Sequence, residues 1–240
     1  MKKVVFALIC SVLFFAVGCN SIGNGVAKNL KVTFESPEYL DIEGDWRIDI
    51  DFDQKENSCE IVLDENMFRY FKMRKGRTLG IYLAKGIYPM VAPVLRIKLA
   101  KPVNELSIEG NSTCNINGFK FVNPLEIELS DRAVCFFNKC EAEYVTAELT
   151  DYAKFSFKGN IRELHAEIDG RAVLEADSAG KFFLEGADNS ICRINSCDEA
   201  EIELEDSAVT EFKQVKQIKY DLEDNADVKY PVVVPEKLKK

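Results

Sequence analysis

The sequence contains few of the residues from which catalytic and metal centres are usually built. Its 240 residues include one histidine, one tryptophan and four methionines. The closest cysteine pairs have four residues between their members, and the histidine is far from both pairs, which is not the spacing of zinc ligands. Thirteen glycines are too few for an array of glycine-rich calcium-binding nonapeptides. The sequence therefore excludes a zinc motif and this type of calcium array.

Linkers, charge blocks and a second long hydrophobic run are missing as well. There is no proline-rich segment, and the one long hydrophobic run stands at the amino terminus. Acidic residues outnumber basic ones by 40 to 31, which gives a formal net charge of -9. A chain this acidic binds nucleic acid poorly and is repelled by anionic lipid. We therefore expect a single domain with neutral or cationic partners and no nucleic-acid partner.

The amino terminus has the pattern of an export signal. Lys2 and Lys3 precede an apolar run at 4–17, which is short for a membrane span and ends in small residues. The four residues AVGC at 16–19 resemble a bacterial lipobox. The resemblance implies that residues 1–18 are a lipoprotein signal peptide and that the Cys19 sulfur carries diacylglycerol. An ordinary secretory signal that is cleaved elsewhere is the alternative.

A lipidated cysteine implies a protein of the bacterial cell envelope, lipid-anchored and facing the periplasm or the cell surface. More than one acyl chain is needed for durable anchoring, since each buried methylene contributes only about 0.8 kcal/mol. Loss of the signal peptide also removes two lysines and no acids, so the net charge moves from -9 to -11. Residues 19–29 are expected to form a short polar tether behind the lipid.

From residue 112 onward a small residue recurs every 18 to 21 positions. Successive gaps are 21, 20, 19, 18, 18 and 18 residues, the length of one coil of a stacked repeat. The small residues are Ser112, Ala133, Ala153, Ala172, Ser190, Ala208 and Ala226. Two positions before each of them stands aspartate or glycine, residue types that tolerate sharp bends. Each coil is therefore expected to turn just before its small residue.

Apolar residues keep fixed distances from the small residue. They stand four positions before it and two and four positions after it, and this spacing of two predicts strands with one inward face. A further inward column is expected seven positions after it, at Phe119, Cys140, Asn160, Ala179, Cys197, Val215 and Val233. A coil of about 20 residues leaves no room for a helix, so neighbouring coils should pair in parallel. The sequence predicts an all-β fold, a parallel β-helix or β-solenoid with about seven regular coils.

The region before the coils alternates less regularly. Nearly every second residue is apolar over 40–52, and shorter alternating runs follow up to residue 99. We expect these strands to begin the solenoid and to cap its end, since an uncovered strand edge promotes aggregation. The predicted organisation is a capping region at 30–102, coils at 103–235 and a tail at 236–240.

Four segments carry a resemblance to a known family. They are YLDIEG at 39–44, RTLGI at 77–81, LRIKL at 95–99 and LSIEGNS at 106–112. Between a lipobox and the coils, these segments resemble the head GIN domain family of auto-transporter adhesins, with coverage of residues 30–235. The resemblance implies a parallel β-helical protein of the bacterial envelope, with adhesion as the role that the family name suggests. It implies no catalytic residues.

An acidic column is the most distinctive chemical feature of the coils. It lies five positions before the small residue, at Glu128, Glu148, Glu167, Glu185, Glu203 and Asp221. Inward positions flank it on both sides, so the column should point outward with about 4.8 Å between neighbours. Such a row should raise its own pKa values or attract cations. We favour a solvated face that protects the sheet from association, and the alternative hypothesis is a binding face for calcium or a polycationic partner.

Six cysteines follow the predicted lipidation site, at Cys59, Cys114, Cys135, Cys140, Cys192 and Cys197. Export permits disulfides, and six cysteines allow 15 pairings. Cys114 and Cys135 share a column, where side chains point the same way and bridge poorly. The pairs Cys135–Cys140 and Cys192–Cys197 are expected at identical coil positions. Either each pair bridges its own corner or all four are buried thiols, which we favour.

Two classes of function fit these patterns. The first is a non-catalytic envelope lipoprotein whose rigid acidic surface binds a protein or glycan, with the membrane as a further partner through the anchor. The second is a small β-helical carbohydrate-active enzyme, a lyase or a hydrolase. No serine or cysteine nucleophile shares the coil position of the one histidine, His165, and the acids form a uniform ladder instead of a sheltered pair. The sequence therefore favours binding, without catalytic residues, firm metal ligands or a required cofactor.

Overall fold

The computed structural model describes residues 21–52 and 55–231, and their secondary structure is almost entirely β, as predicted. The amino-terminal strands are β1 (Ser21–Ile22), β2 (Ala27–Thr33), β3 (Tyr39–Glu43), β4 (Arg47–Asp51), β5 (Ser58–Asp64), β6 (Phe71–Arg74), β7 (Thr78–Leu83), β8 (Ile87–Tyr88) and β9 (Val94–Lys98). A 3-10 helix, Glu65–Tyr70, connects β5 to β6. The remaining strands are β10 (Glu105–Glu109), β11 (Thr113–Asn117), β12 (Lys120–Phe121), β13 (Leu125–Leu129), β14 (Val134–Leu149), β15 (Lys154–Ile168), β16 (Val173–Gly186), β17 (Ile191–Leu204), β18 (Val209–Leu222) and β19 (Asp227–Lys229).

The repeat forms a parallel β-solenoid, as its period predicts. Strands β14 to β18 are 14 to 16 residues long, and each pairs in parallel with the next. The predicted small residues lie over one another, since Lys154 N donates to Ala133 O and Val173 N donates to Ala153 O, both at 2.8 Å. This register continues to the last coil, where Asp227 N donates to Ala208 O at 3.0 Å. The predicted stacking of the coils is therefore confirmed.

Each coil has three faces. In one of the first coils the faces are separate strands, and β11, β12 and β13 pair with the beginning, the middle and the end of β14. Each later strand therefore passes through all three faces. The pairing of β14 with β15 becomes irregular between Asn138 and Cys140, which marks one of the bends. Lys139, with a φ of 55°, lies in this bend.

A second corner, just before the small residue of each coil, is a tight turn that requires a left-handed residue. In the coil of β15 the turn closes with a hydrogen bond from Ala153 N to Thr150 O at 3.1 Å. The turn residue has a positive φ in each coil, at Gly110, Asp131, Asp151, Gly170, Asp188, Asp206 and Asp224. Glycine adopts this conformation freely, and aspartate does so more easily than most residues because its short side chain bonds locally. This requirement explains why the column contains only aspartate and glycine.

The order of the coils along the solenoid differs from their order in the sequence. The coil of β3 and β4 lies between the coil of β7 and β9 and the coil of β10 and β11, and it pairs in parallel with both. After β4 the chain does not continue into the next coil of the stack. It passes through β5 and β6 and returns as β7 and β9, on the side of the β3–β4 coil that faces away from β10 and β11. Antiparallel strands finish this end, because β5 pairs with β2 and β9, and β6 pairs with β7.

The core is a stack of aliphatic and aromatic columns. Phe137 contacts Phe155 and Phe157, with ring centroids 5.4 and 5.5 Å away, in the edge-on and offset arrangements that aromatic pairs prefer. Trp46, predicted to be a core residue, is 2% exposed, and its Nε1 donates to the Glu43 carbonyl oxygen at 3.1 Å. The inward columns thus form one continuous core from the cap to the last coils.

One predicted column is wrong in the early coils. The third inward column consists of Phe121, Ala142, Ile161, Ala179, Cys197 and Val215. Phe119 and Cys140 lie two residues earlier, in the bend, and Asn160 is exposed. The early coils are longer than the later ones, and most of their additional residues lie in this bend. Counting from the small residue therefore loses the register there.

Several predicted features lie outside the described residues, namely the signal peptide at 1–18, the lipidation site Cys19 and the tail at 236–240. Residues 21–29 of the predicted tether are described, and they contain β1 and the first part of β2. These strands pair with β8 and β5, so this part of the segment is attached to the fold. In the part of the chain that the structure describes, no helix is long and apolar enough to span a membrane.

Replacement of Gly110 by alanine tests the inserted coil. Gly110 has a φ of 100°, and a Cβ there would lie 2.3 Å from the carbonyl oxygen of Gly44 in the adjacent coil. We expect Gly110→Ala to lower the free energy of unfolding by about 3 kcal/mol, because left-handed strain adds to the forced separation of two coils. Urea denaturation measures this loss.

Gly118→Ala is the matched control. Gly118 has a φ of 64°, and nothing lies within 4 Å of its added Cβ. Only the backbone strain remains, so the expected loss is about 1 kcal/mol. Equal losses for the two variants would contradict the close stacking of the β3–β4 coil on the β10–β11 coil.

Candidate binding surface

The structure brings the predicted acidic column together. Glu128, Glu148, Glu167, Glu185, Glu203 and Asp221 are direct register partners in β13 to β18, and we call them the acidic ladder. Ser107 pairs with Glu128 at the start of the ladder, and Asp41 of the inserted coil pairs with Ser107. The neighbours of Glu148 along the chain, Ala147 and Leu149, are fully buried. The ladder side chains therefore point outward, as predicted.

In the described part of the chain the acidic ladder forms no ion pairs, although Lys219, which pairs with Glu201, lies near enough to Glu203 and Asp221 to interact with their charges. Among residues 21–52 and 55–231, none of its six carboxylates makes an ion pair or a hydrogen bond with another side chain. Unit charges about 4.8 Å apart repel by roughly 0.9 kcal/mol at the dielectric constant of water, before salt screens them. The row is therefore a concentrated negative surface on a rigid support.

A second column of charges, on a different face, alternates in sign. Glu175, Arg193, Glu211 and Lys229 are register partners in successive strands. Arg193 lies 3.4 Å from Glu175 and 3.2 Å from Glu211, and Lys229 lies 3.2 Å from Glu211, measured between nitrogen and oxygen. We call this column the ion-pair ladder. The same solenoid thus pairs its acids in one column and leaves them unpaired in the other.

Crowding on the acidic ladder perturbs its titration. Partial burial raises the pKa of the Glu148 carboxyl above its ordinary value of 4.5, and the carboxylates of Glu128 and Glu167 raise it further. Burial, followed by the charges of Glu128 and Glu126, likewise raises the pKa of Glu105, one column away. For Glu148 this agrees with the sequence prediction that the row raises its own pKa values.

Three rings lie beside the ladder and form what we call the ring stack. His165 stacks on Phe183 with centroids 4.4 Å apart, and its other side faces Tyr144 at 5.0 Å. His165 Nε2 lies 2.9 Å from Glu163 Oε1, and this hydrogen bond lowers the pKa of Glu163. The histidine, read from the sequence as an outward residue without a nucleophile, is thus held between two aromatic rings. Phe183 is the register partner of His165 in the next coil, whereas Tyr144 reaches it diagonally.

A shallow pocket of about 250 Å³ lies where the ring stack meets the acidic ladder. His165 and Phe183 contribute ring surface, and Glu148, Glu167 and Glu185 contribute carboxylates. Aromatic faces and carboxylates both attract organic cations, the first through the ring quadrupole and the second through charge. The pocket therefore combines two kinds of group that recognise a lysine or arginine side chain.

The described residues form no coordination site that would support the calcium hypothesis. Among the residues that the structure describes, no three histidine, cysteine or acidic side chains come together as a group that could hold a metal ion. The ladder carboxylates lie in one row on an open surface, whereas calcium takes six to eight oxygen ligands around it. A cation carried by a larger partner fits this row better than a bound metal does.

A second concave surface lies beside the corner that holds the left-handed aspartate and glycine residues, which we call the aspartate corner. It is a groove of about 370 Å³, and the residues that follow β7 form one of its walls. Lys85 reaches across it to Glu109 at 2.8 Å and to Asp131 at 3.7 Å. Tyr152 lines the groove and is 55% exposed, and the guanidinium of Arg132 lies 5.8 Å from its ring centroid. The sequence analysis missed this groove, because its lining comes from the cap and from three separate coils.

All six described cysteines are free and buried. Burial raises the pKa of Cys59 to about 12 and that of Cys197 to about 11. One expectation is wrong: Cys140 and Cys197 do not occupy the same coil position, since Cys197 stacks on Ala179 while Cys140 pairs with Gly159 in the bend. The longer early coils cause this difference. The cysteines fill core space and do not form a recurring chemical motif.

No protein-family model matches the sequence, and no curated protein matches it. Solved structures match the fold over 88% of this chain. A "putative adhesin" from Bacteroides fragilis is 12% identical with a TM-score of 0.72, and 99% of that chain is covered. A "putative adhesin" from Parabacteroides merdae and a "putative lipid binding protein" from Parabacteroides distasonis are 13% and 15% identical, each with a TM-score of 0.65 and 98% covered. At these identities the similarity establishes a shared fold.

Neutralising one member of the acidic ladder should stabilise the protein. Glu148 has a raised pKa, so its ionised form is less favourable in the folded chain than in the unfolded chain. Because Glu148 is exposed and solvent screens these charges, we expect Glu148→Gln to raise the free energy of unfolding by at most about 0.5 kcal/mol at pH 7. The gain should disappear below the ordinary pKa of 4.5, where the wild-type carboxyl is protonated in both states. Urea denaturation at pH 7 and pH 3.5 measures it.

Glu211→Gln on the ion-pair ladder is the control with the opposite sign. Lys229 and Arg193 lower the pKa of Glu211 and stabilise its charge, so its neutralisation should not stabilise the protein at pH 7. A similar gain for both variants would mean that overall charge, and not the row of stacked acids, sets the effect.

The buried thiols predict a specific labelling pattern. The thiolate is the reactive form, and burial keeps all six thiols out of reach of the reagent in the folded protein. In the native protein, an uncharged maleimide should leave the six described cysteines unmodified, and in guanidinium chloride it should modify all six. Peptide mass spectrometry measures both. A disulfide-linked pair, recognised because it is labelled only after reduction, would contradict the assignment of free thiols.

Proposed function

We propose that this chain is a non-catalytic lipoprotein of the bacterial cell envelope whose acidic ladder binds cationic groups of another molecule, as an adhesin or a scaffold would. The observation that carries the proposal is the row of six stacked carboxylates, none of which forms an ion pair with another described residue. A row that repels itself gains free energy when a partner supplies positive charge. The partner is therefore a molecule with several amino or guanidinium groups.

The pocket at the ring stack supports a partner that carries basic side chains. An extended basic segment along the ladder would meet carboxylates about every 4.8 Å, between the rise of about 3.3 Å for one residue and about 6.6 Å for two, and long flexible lysine or arginine side chains can bridge that difference. At the pocket, one basic side chain would lie against the face of Phe183 that His165 leaves uncovered, while neighbouring groups pair with Glu167 and Glu185. A lysine-rich or arginine-rich protein segment matches this geometry.

Three observations support the place in the envelope. AVGC at 16–19 resembles a lipobox, which supports a lipidated Cys19. The segments that resemble the head GIN domain family support membership in that family. Two of the structures that share the fold are described as putative adhesins, and a third as a putative lipid binding protein. Binding is preferred to glycoside chemistry because the ladder acids share one open environment, and catalysis by two carboxyls needs a sheltered pair with different pKa values.

A basic probe tests the ladder directly. Fluorescein-labelled octalysine should bind the wild-type protein at low ionic strength and dissociate as salt increases. The double variant Glu167→Gln/Glu185→Gln should bind about 3- to 10-fold more weakly, since each lost surface ion pair is worth a few tenths to about 1 kcal/mol. Fluorescence anisotropy measures the affinity.

The matched control removes the same charge from another face. Glu175→Gln/Glu211→Gln neutralises two acids that already pair with Arg193. This variant should keep the wild-type affinity for octalysine within about 2-fold. If both double variants weaken binding equally, net charge alone explains it and the ladder is not a binding face.

A further inference from the structure

Exposed apolar side chains gather at the capped end of the solenoid. Ile22, Val26, Tyr88 and Met90 are each more than half exposed, and we call them the cap patch. Ile22 and Tyr88 are register partners in β1 and β8. Met90 approaches the segment that precedes Val26, since a Cβ at Gly25 would lie 3.9 Å from the Met90 Cε. Clustered apolar exposure of this kind marks a contact surface, whereas single exposed apolar residues are ordinary.

The cap patch is held rigidly. The buried carboxylate of Asp64 accepts hydrogen bonds from Gly25 N at 2.6 Å and from Met90 N and Val91 N, both at 2.9 Å. The Asn66 side chain donates to the Ile22 carbonyl oxygen at 2.9 Å. These bonds fasten the start of the described chain to the segment after β8. The four apolar side chains are therefore presented by fixed backbone.

The patch lies very close in sequence to the predicted lipidation site. Only Asn20 separates Cys19 from Ser21, the first residue of β1. Two residues span at most about 7 Å even when fully extended. A lipid on Cys19 would therefore leave almost no slack between the bilayer surface and the cap. The exposed side chain of Ile22 follows one residue later.

We propose that the cap patch rests on the lipid bilayer when Cys19 is acylated, so that the cap is a membrane-contacting surface and the solenoid projects from the membrane in a fixed orientation. Apolar side chains at an interface sink about 5–10 Å into the boundary between headgroups and acyl chains, and tyrosine favours this depth. The inference rests on the lipoprotein part of the proposed function.

The charges around the patch suit this contact. Lys28 lies over the ring of Phe68 at 5.9 Å, and the Arg69 guanidinium lies 4.8 Å from the ring centroid of Tyr70. The Tyr70 hydroxyl hydrogen-bonds the Ser21 side chain, so Arg69 stands near β1. The acidic ladder begins only in β13, beyond the coils of β3–β4 and β10–β11. Lys28 also pairs with Glu65 at 3.4 Å, so Arg69 is the basic group offered to the headgroup phosphates here, while the acidic ladder lies farther along the solenoid.

Tryptophan placed in the patch tests the contact. The full-length protein is expressed with its own signal, extracted from the membrane and reconstituted into vesicles of brominated phosphatidylcholine, whose bromines quench nearby indoles. Ile22→Trp and Met90→Trp are two independent probes, and Tyr220→Trp, exposed at the far end in β18, is the control. The native Trp46 is buried and contributes equally to all three. We expect at least about half of the added emission to be quenched at positions 22 and 90, and almost none at 220.

The mass of the extracted protein separates the two proposals. If the mass lacks a diacylglycerol on Cys19, the lipoprotein proposal fails and the inference fails with it. If the protein is acylated but positions 22 and 90 are quenched no more than position 220, the cap patch does not touch the bilayer, and only the inference is overturned.

Discussion

The in-register hydrogen bonding between parallel coils is the constraint on which the rest of the structure depends. Each coil donates backbone N–H groups to the coil before it, as Lys154 N does to Ala133 O. This pairing brings residues 18 to 21 positions apart in the chain to about 4.8 Å in space. Residue types that recur at the same position of the repeat therefore stack into a column in the structure. The core columns, the acidic ladder and the ion-pair ladder all arise in this way, and a shift of one residue would exchange inward and outward side chains.

The register between coils is maintained at the aspartate corner, and it shifts at the bend near Lys139. At the corner that precedes each of β14 to β18, a left-handed residue and a closing hydrogen bond recur, so the chain enters these strands in the same phase. At the bend near Lys139 and Gly159 the pairing slips, and coils of different length are accommodated there. A Cβ at Gly159 would lie 1.9 Å from the Cys140 carbonyl oxygen, so the backbones approach most closely where the register changes. The chain thus concentrates its irregularity in one corner and keeps the face of the acidic ladder regular.

The features that follow from the repeat period and from residue alternation could be predicted from the sequence. Fold class, strand direction, the outward acidic ladder and the burial of Trp46 follow from alternation and spacing, which are local properties. The insertion of the β3–β4 coil could not be predicted, because alternating residues define a strand's faces and not which strand lies at its edge. The ring stack depends on the diagonal reach of Tyr144. Residues 21–29 read as a tether by composition, and only their pairing with β8 and β5 shows that they belong to the fold.

A comparison of the ion-pair ladder with the acidic ladder addresses the question whether the acidic ladder serves only to keep the protein soluble. Both are outward columns of the same coils, with the same spacing and similar access to water. Alternating charges, as in Glu175–Arg193–Glu211, keep a sheet hydrated without mutual repulsion. The acidic ladder instead accepts like-charge contacts in consecutive coils, each worth up to roughly 0.9 kcal/mol before screening. The coils tolerate this because each also buries large apolar side chains worth about 1.5–3 kcal/mol apiece. Since hydration does not require the repulsion, a row of one sign supports the proposal that a partner supplies positive charge there.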